Sequence, residues 1–170
     1  MLQMDEDGTY VNFKEELEQR TREAEEIIKS YLPKEEGFAK NMAEAMNYSM
    51  KAGGKRLRPM LMQEMCRLFT GTLLEAVIPF MAAVEMIHTS SLVHDDLPCM
   101  DDDMIRRGKA STWAEYGEDI GVLAGDALMM YAFETASKAF DAAEDADALL
   151  RAGKAMGILA AKTGVYGMIG

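Results

Sequence analysis

The stretch that decides the fold is Leu73-Leu74-Glu75-Ala76-Val77-Ile78-Pro79-Phe80-Met81-Ala82-Ala83-Val84-Glu85-Met86-Ile87-His88-Thr89-Ser90-Ser91-Leu92-Val93-His94-Asp95-Asp96-Leu97. It is the longest helical candidate in the chain, with a kink expected near Pro79, and it runs into a dense acidic cluster around Pro98. Carboxylates at a helix C-terminus oppose its macrodipole and repel one another, so a compensating cation is expected there. The longest purely apolar run, Ala76 to Val84, stops at Glu85, short of the roughly 20 residues that cross a bilayer, so no membrane span is expected.

Working outward, Phe13, Leu17, Ala24, Ile27, Ile28 and Tyr31 recur at helical spacing until Pro33 breaks the pattern. A second helix is expected from about Gly37 to Lys51, ended by Gly53-Gly54, and a third from about Pro59 to Gly71. Beyond a basic loop at Arg106-Arg107-Gly108, helical patterns return at about 118–140 and about 146–165. No segment reads as a strand, and no repeat or low-complexity tract interrupts the pattern. The fold expected is all-α, with helices packed antiparallel through short connections.

Composition narrows the function classes. The 170 residues are 49% hydrophobic and 28% charged, enough to bury a core. With 18 basic and 29 acidic residues the net charge is −11, which repels a phosphate backbone and argues against nucleic acid as a partner. The N-terminus lacks the basic and apolar regions of a secretory signal, and Cys66 and Cys99 form no disulfide framework, so a cytoplasmic location is expected. The 16 methionines read as flexible core filler.

Chemistry concentrates in Asp95-Asp96-Leu97-Pro98-Cys99-Met100-Asp101-Asp102-Asp103, followed closely by Arg106-Arg107-Gly108. Hard cations such as Mg2+ take carboxylate oxygens and leave positions for substrate phosphates, while arginine forks grip phosphate oxygens. Together they describe a metal-bridged diphosphate site. On a continuous helix Asp95 and Asp101 would point about 120° apart; Pro98 lets the chain turn so that both can converge on one ion. A second anion site is expected at Gly53-Gly54-Lys55-Arg56-Leu57-Arg58-Pro59, where three cations flank a helix start. It is not a Walker loop, because Arg56 follows Lys55 where Ser or Thr is needed. His88, seven residues before Asp95, falls on nearly the same helix face and can donate to phosphate. His94-Asp95 suggests a metal-dependent phosphohydrolase only weakly, since two histidines are too few for its ligand set.

These residues, with Glu85-Met86-Ile87-His88, Ser91 to Asp101, Arg106-Arg107-Gly108-Lys109 and Leu123-Ala124-Gly125-Asp126-Ala127-Leu128, resemble the trans-isoprenyl diphosphate synthase (polyprenyl synthetase) family in order and spacing, over about 13–170. The four residues between the aspartate pair and Asp101 are similar to the bacterial farnesyl and plant-type geranylgeranyl synthase pattern. The resemblance implies an isoprenoid synthase-type helical bundle, cut short, with residues 1–170 forming the N-terminal portion of one domain. It implies a prenyltransferase that condenses isopentenyl diphosphate with an allylic diphosphate to give farnesyl or geranylgeranyl diphosphate. Asp95 and Asp101 would ligate Mg2+, Asp96 would support the cluster, and Arg106 would contact the allylic diphosphate. Lys55, Arg58, His88 and Arg107 would hold isopentenyl diphosphate. An apolar pocket lined by Met-rich faces would keep water from the allylic cation. Ser90, five positions before the first aspartate, is small, implying a product longer than farnesyl that Ser90→Tyr would shorten.

The chain stops before the family's glutamine segment and second aspartate-rich cluster. A segment lacking half the metal cage is expected to be inactive alone, with exposed apolar faces that favour a homodimer or a complementary partner. The competing reading is a non-catalytic regulatory subunit of a prenyl synthase.

Overall fold

A computed structural model of the protein describes residues 2–4 and 10–170. Two short strands, β1 (Leu2–Met4) and β2 (Tyr10–Asn12), pair antiparallel and lead into α1 (Phe13–Ser30). Asn12 caps that helix by accepting from the Lys14 N–H, which satisfies one of the free donors at its start. A 3-10 turn at Gly37–Ala39 precedes α2 (Lys40–Met50). Helix α3 (Leu57–Thr70) ends at Gly71, whose φ of 77° closes it in the left-handed conformation that glycine adopts without a Cβ clash.

The deciding stretch forms a 3-10 turn at Glu75–Val77 and then α4 (Ile78–Asp95). Pro79 does not kink a long helix: it sits in the first turn of α4, where a missing N–H costs nothing. Glu75–Asp95 is long and apolar enough to cross a membrane by composition, with a mean hydropathy of 1.5, although it contains no long purely apolar run. Yet 61% of that window is buried inside the protein, as expected of a helix apolar on every side at the centre of a bundle.

Several short elements escape a periodicity reading, β1 and β2 among them, against the expectation of no strand. Strands β3 (Ile105–Arg106) and β4 (Lys109–Ala110) form a hairpin where a loop is expected, and α5 (Thr112–Tyr116) follows it. Two-residue strands and a five-residue helix are too short to show a period. The chain ends with α6 (Glu118–Ser137), a 3-10 turn at Lys138–Phe140 and α7 (Ala146–Thr163), which Asp145 caps.

Helix α6 runs antiparallel to α4. The Val122 carbonyl near its start meets His94 near the end of α4, while the turn after α6 meets the turn before α4. Ala82, Ala83, Ala124, Ala132 and Ala136 are completely buried and let the backbones approach, with Met86, Ile87, Val93 and Leu128 filling the space around them. Methionine is only partly core filler: Met46, Met50, Met81 and Met86 are buried, whereas Met65, Met100, Met104 and Met130 are exposed.

The closest approach is at Gly125, where an added Cβ would overlap the His94 imidazole. His94 also meets the Val122 carbonyl at 3.1 Å and Asp126 at 3.6 Å, so it serves the α4–α6 contact rather than a metal. Gly125→Ala is expected to cost about 1–3 kcal/mol through overpacking, against a helix-propensity gain of at most about 1 kcal/mol. Urea unfolding followed by circular dichroism checks this; a variant more stable than the parent would show that the ring moves freely.

Candidate diphosphate site

The loop between α2 and α3 aligns three cations in sequence, but the structure separates them. Arg56, with φ of 48°, turns inward and is 2% exposed. Its Nε donates to Glu25 at 2.5 Å, its Nη1 to Glu85 at 2.9 Å and its Nη2 to the Met50 carbonyl at 2.6 Å. Burial alone would favour the neutral guanidine, but the bonds and charges of the two carboxylates outweigh it and raise its pKa. Arg56 is therefore the bolt that ties the loop to α1 and α4, not a free anion ligand.

Lys55 and Arg58 remain exposed, and with His88 and Arg107 they line a cleft of about 490 Å³. Arg56, held by its carboxylates, lies in the same wall with Glu85 and Gly54. Arg107 lies directly over Gly54: a Cβ there would come within 2.7 Å of Arg107 Nη1, and the φ of 142° at Gly54 is itself one that side chains avoid. Burial lowers the pKa of His88, Arg58 and Arg107 push it further down, and Glu85 only partly opposes them. The ring is thus held neutral beside an excess of positive charge.

An anion seated among these groups reverses that balance, so binding is expected to draw a proton onto His88 and to tighten as pH falls from 8 toward 6. Calorimetry of pyrophosphate binding in two buffers of different ionisation heat measures the uptake. His88→Gln should reduce it, and an unchanged value would remove His88 from the site.

A second cleft, of about 430 Å³, opens on the same side of α4. Val84, Ile87, His88, Ser91, Leu92 and Asp95 form its floor at helical spacing, so His88 and Asp95 share a face, as their separation of seven implies. Arg58 walls both clefts, and Leu159, Lys162, Thr163 and Met168 close the far side. The apolar lining is mostly branched aliphatic, with Met168 its one methionine. Ser90 is completely buried, donates to the Ile87 carbonyl and does not line this cleft; Ser91 does.

The acidic loop turns at Pro98. The Asp101 N–H donates to the Asp95 carbonyl at 2.9 Å, and the Asp103 N–H to the Asp96 carbonyl at 3.1 Å, so residues 95–103 fold back on themselves. Asp95 is half-buried, Asp101 is exposed and lines neither cleft, and Asp96 is buried. Among the described residues no three His, Cys, Asp or Glu side chains gather into a cation cage. The turn joins the Asp95 and Asp101 backbones; a donor set of so few carboxylates is of the kind that would suit Mg2+, which keeps several waters and takes further oxygens from phosphates.

Arg106 does not face open solvent as a ready phosphate ligand. Its Nε donates to both Asp96 oxygens at 2.7–2.8 Å, and its Nη2 also donates to Asp96. That bond, outweighing burial and joined by the charges of Asp96, Asp103 and Asp95, raises the Arg106 pKa. Nothing in the local sequence distinguishes Arg106 from Arg107; the hairpin does, with Arg106 in β3 and Arg107 in the turn that leads to β4.

A sequence profile described as Polyprenyl synthetase matches residues 39–162, most of the chain. The chain belongs to the polyprenyl synthetase family. It is 61% identical over 92 residues to a chloroplastic geranylgeranyl pyrophosphate synthase of Catharanthus roseus, covering 54% of this chain and 25% of that protein. A dimethylallyltranstransferase of Fischerella ambigua is 46% identical over 123 residues, covering 72% of this chain and 35% of that one. The crystal structure of an FPP/GFPP synthase from Zymomonas mobilis superposes with a TM-score of 0.81 at 36% identity, covering 93% of this chain and 55% of the other. This polyprenyl synthetase chain thus spans a quarter to about a third of the length of such curated relatives and about half of the solved structure. The likeness in helical fold extends over nearly all of this chain.

Proposed function

We propose that the chain contributes the diphosphate-binding face of a prenyltransferase that joins isopentenyl diphosphate to an allylic diphosphate, giving farnesyl or geranylgeranyl diphosphate. The observation that carries this reading is the gathering of Lys55, Arg58, His88 and Arg107 around one cleft, with Asp95 on the wall of the next. Two anionic substrates side by side need this arrangement: fixed cations for one diphosphate, and carboxylate-held magnesium for the other.

In this reading Asp95 and Asp101 hold Mg2+, which when bound stabilises the departing diphosphate. Lys55, Arg58, His88 and Arg107 seat isopentenyl diphosphate, and Arg106 reaches the allylic diphosphate after giving up part of its bond to Asp96. Val84, Ile87 and Leu92 offer an apolar wall along which a prenyl chain can run and from which water is excluded. Exposed Leu57, Leu61, Met65 and Leu68 on one face of α3 support association with a second copy of the chain. A reducing cytoplasm suits the unpaired Cys66 and Cys99.

Calorimetry with inorganic pyrophosphate is the direct test. Binding is expected in EDTA through the cationic cleft and is expected to tighten by at least about tenfold with Mg2+, as metal bridging adds oxygen contacts. No binding under either condition would refute the reading.

A further inference from the structure

We propose that Asp96 is a positioning residue for the cationic cleft: through Arg106 it fixes the 105–110 hairpin and thereby sets Arg107 over Gly54. The inference rests on the anion-binding reading of that cleft and adds a residue from the acidic run to it.

Asp96 is 2% exposed, and both its oxygens face the Arg106 guanidinium. A buried carboxylate engaged in this way is turned to the guanidinium, unlike its half-buried and exposed neighbours Asp95 and Asp101, for which no such partner is recorded among the described residues. Its partner lies in β3, where Arg106 pairs with Lys109 and Ile105 with Ala110 across a two-residue connection. Both connecting residues have positive φ, 54° at Arg107 and 78° at Gly108, the pattern of a type I′ hairpin turn.

Glycine or asparagine usually occupies the first position of that turn, and an arginine there carries about 1–2 kcal/mol of backbone strain. Such strain persists where the surroundings over-determine it. Arg107 moreover shares the cleft with Lys55 and Arg58, and the charge of Arg56 opposes its own. The fork between Asp96 and Arg106 holds the strand immediately before the turn. Tyr48 Oη, donating to the Ala110 carbonyl at 2.9 Å, holds the strand after it. With the hairpin gripped on both sides, its tip carries Arg107 over Gly54. Trp113 Nε1, donating to the Asp103 carbonyl at 3.0 Å, ties the acidic loop independently of the fork.

The test is pyrophosphate binding by the whole chain in EDTA, where no metal contributes. Asp96→Asn keeps the shape but loses the charge and half of the fork, and should weaken metal-free binding about tenfold, the worth of one charge-assisted contact. Asp96→Glu, which restores a carboxylate for Arg106, should recover a large part of it. Circular dichroism at the assay temperature separates a misplaced Arg107 from lost folding. Should Asp96→Asn fail to fold, Arg106→Lys, which keeps the charge but cannot make the fork, replaces it: its loss of affinity should vanish in an Arg107→Gln background, whereas a loss that persists there marks a direct contact by Arg106 and overturns the inference. The inference is overturned if the folded variant binds metal-free pyrophosphate like the parent and loses only the magnesium enhancement, the behaviour of a metal ligand. A parent chain that binds no pyrophosphate without metal removes the cationic cleft itself, and the inference with it.

Discussion

Arg56→Met is expected to lower the unfolding free energy by about 3–5 kcal/mol, because it leaves Glu25 and Glu85 without their shared counter-charge. The Glu85 side chain is only 3% exposed and pairs with Arg56 at 2.9 Å, so it cannot turn to solvent without opening α4. Burial pushes the Glu25 carboxyl up, but Arg56 and then Lys29 hold it below the usual range; removing the guanidinium cancels that gain. Arg56→Lys should lose nearly as much, since an ammonium cannot reach Glu25, Glu85 and the Met50 carbonyl together. Adding Glu85→Met to Arg56→Met should recover part of the stability, as the stranded buried charge is then gone. Urea unfolding followed by circular dichroism measures all three. A loss below about 1 kcal/mol for Arg56→Met would place this trio among ordinary surface pairs.

That expectation marks where sequence reading reaches its limit. Helices α1, α2 and α7 are legible because each repeats an apolar face over several turns, α4 because its apolar stretch is too long for a strand, and Gly71 ends α3 by simple stereochemistry. Lys55, Arg56 and Arg58 look equivalent in sequence. They differ because Glu25 and Glu85, 31 and 29 residues away from Arg56, claim only the middle one. The signal that was available is Glu85 itself: a carboxylate within a run of buried apolar residues requires a cation, and the nearest conformationally strained arginine is the candidate. Arg106 and Arg107 pose the same problem. Their separation depends on a turn with two positive φ angles, and Arg-Gly is a weak form of the usual Asn-Gly signal. The acidic loop was more transparent, because Pro98 is incompatible with a continuing helix and a turn had to follow.

Gly54→Ala should weaken metal-free pyrophosphate binding by about 10- to 150-fold while leaving the chain folded, the range spanned by losing one hydrogen bond to a charged group. The new methyl group would come within 2.7–3.0 Å of the three terminal atoms of Arg107, and the end of a long side chain yields more readily than backbone. The guanidinium would therefore swing out of the cleft, and the lost affinity would belong to its displacement. Backbone strain adds a cost to stability, since φ is 142° at this position, but that cost is paid in the free and bound states alike and does not enter the binding constant. Gly53→Ala provides the comparison: its φ of 85° imposes strain as well, yet its Cβ would meet nothing within 4 Å. Gly53→Ala should thus lose stability with a much smaller loss of affinity, whereas Arg107→Gln should reproduce the affinity loss of Gly54→Ala without the strain. Equal affinity losses in the two glycine variants would assign the effect to the stiffness of the loop instead of to Arg107, and would leave Lys55 and Arg58 as the cations that seat the diphosphate.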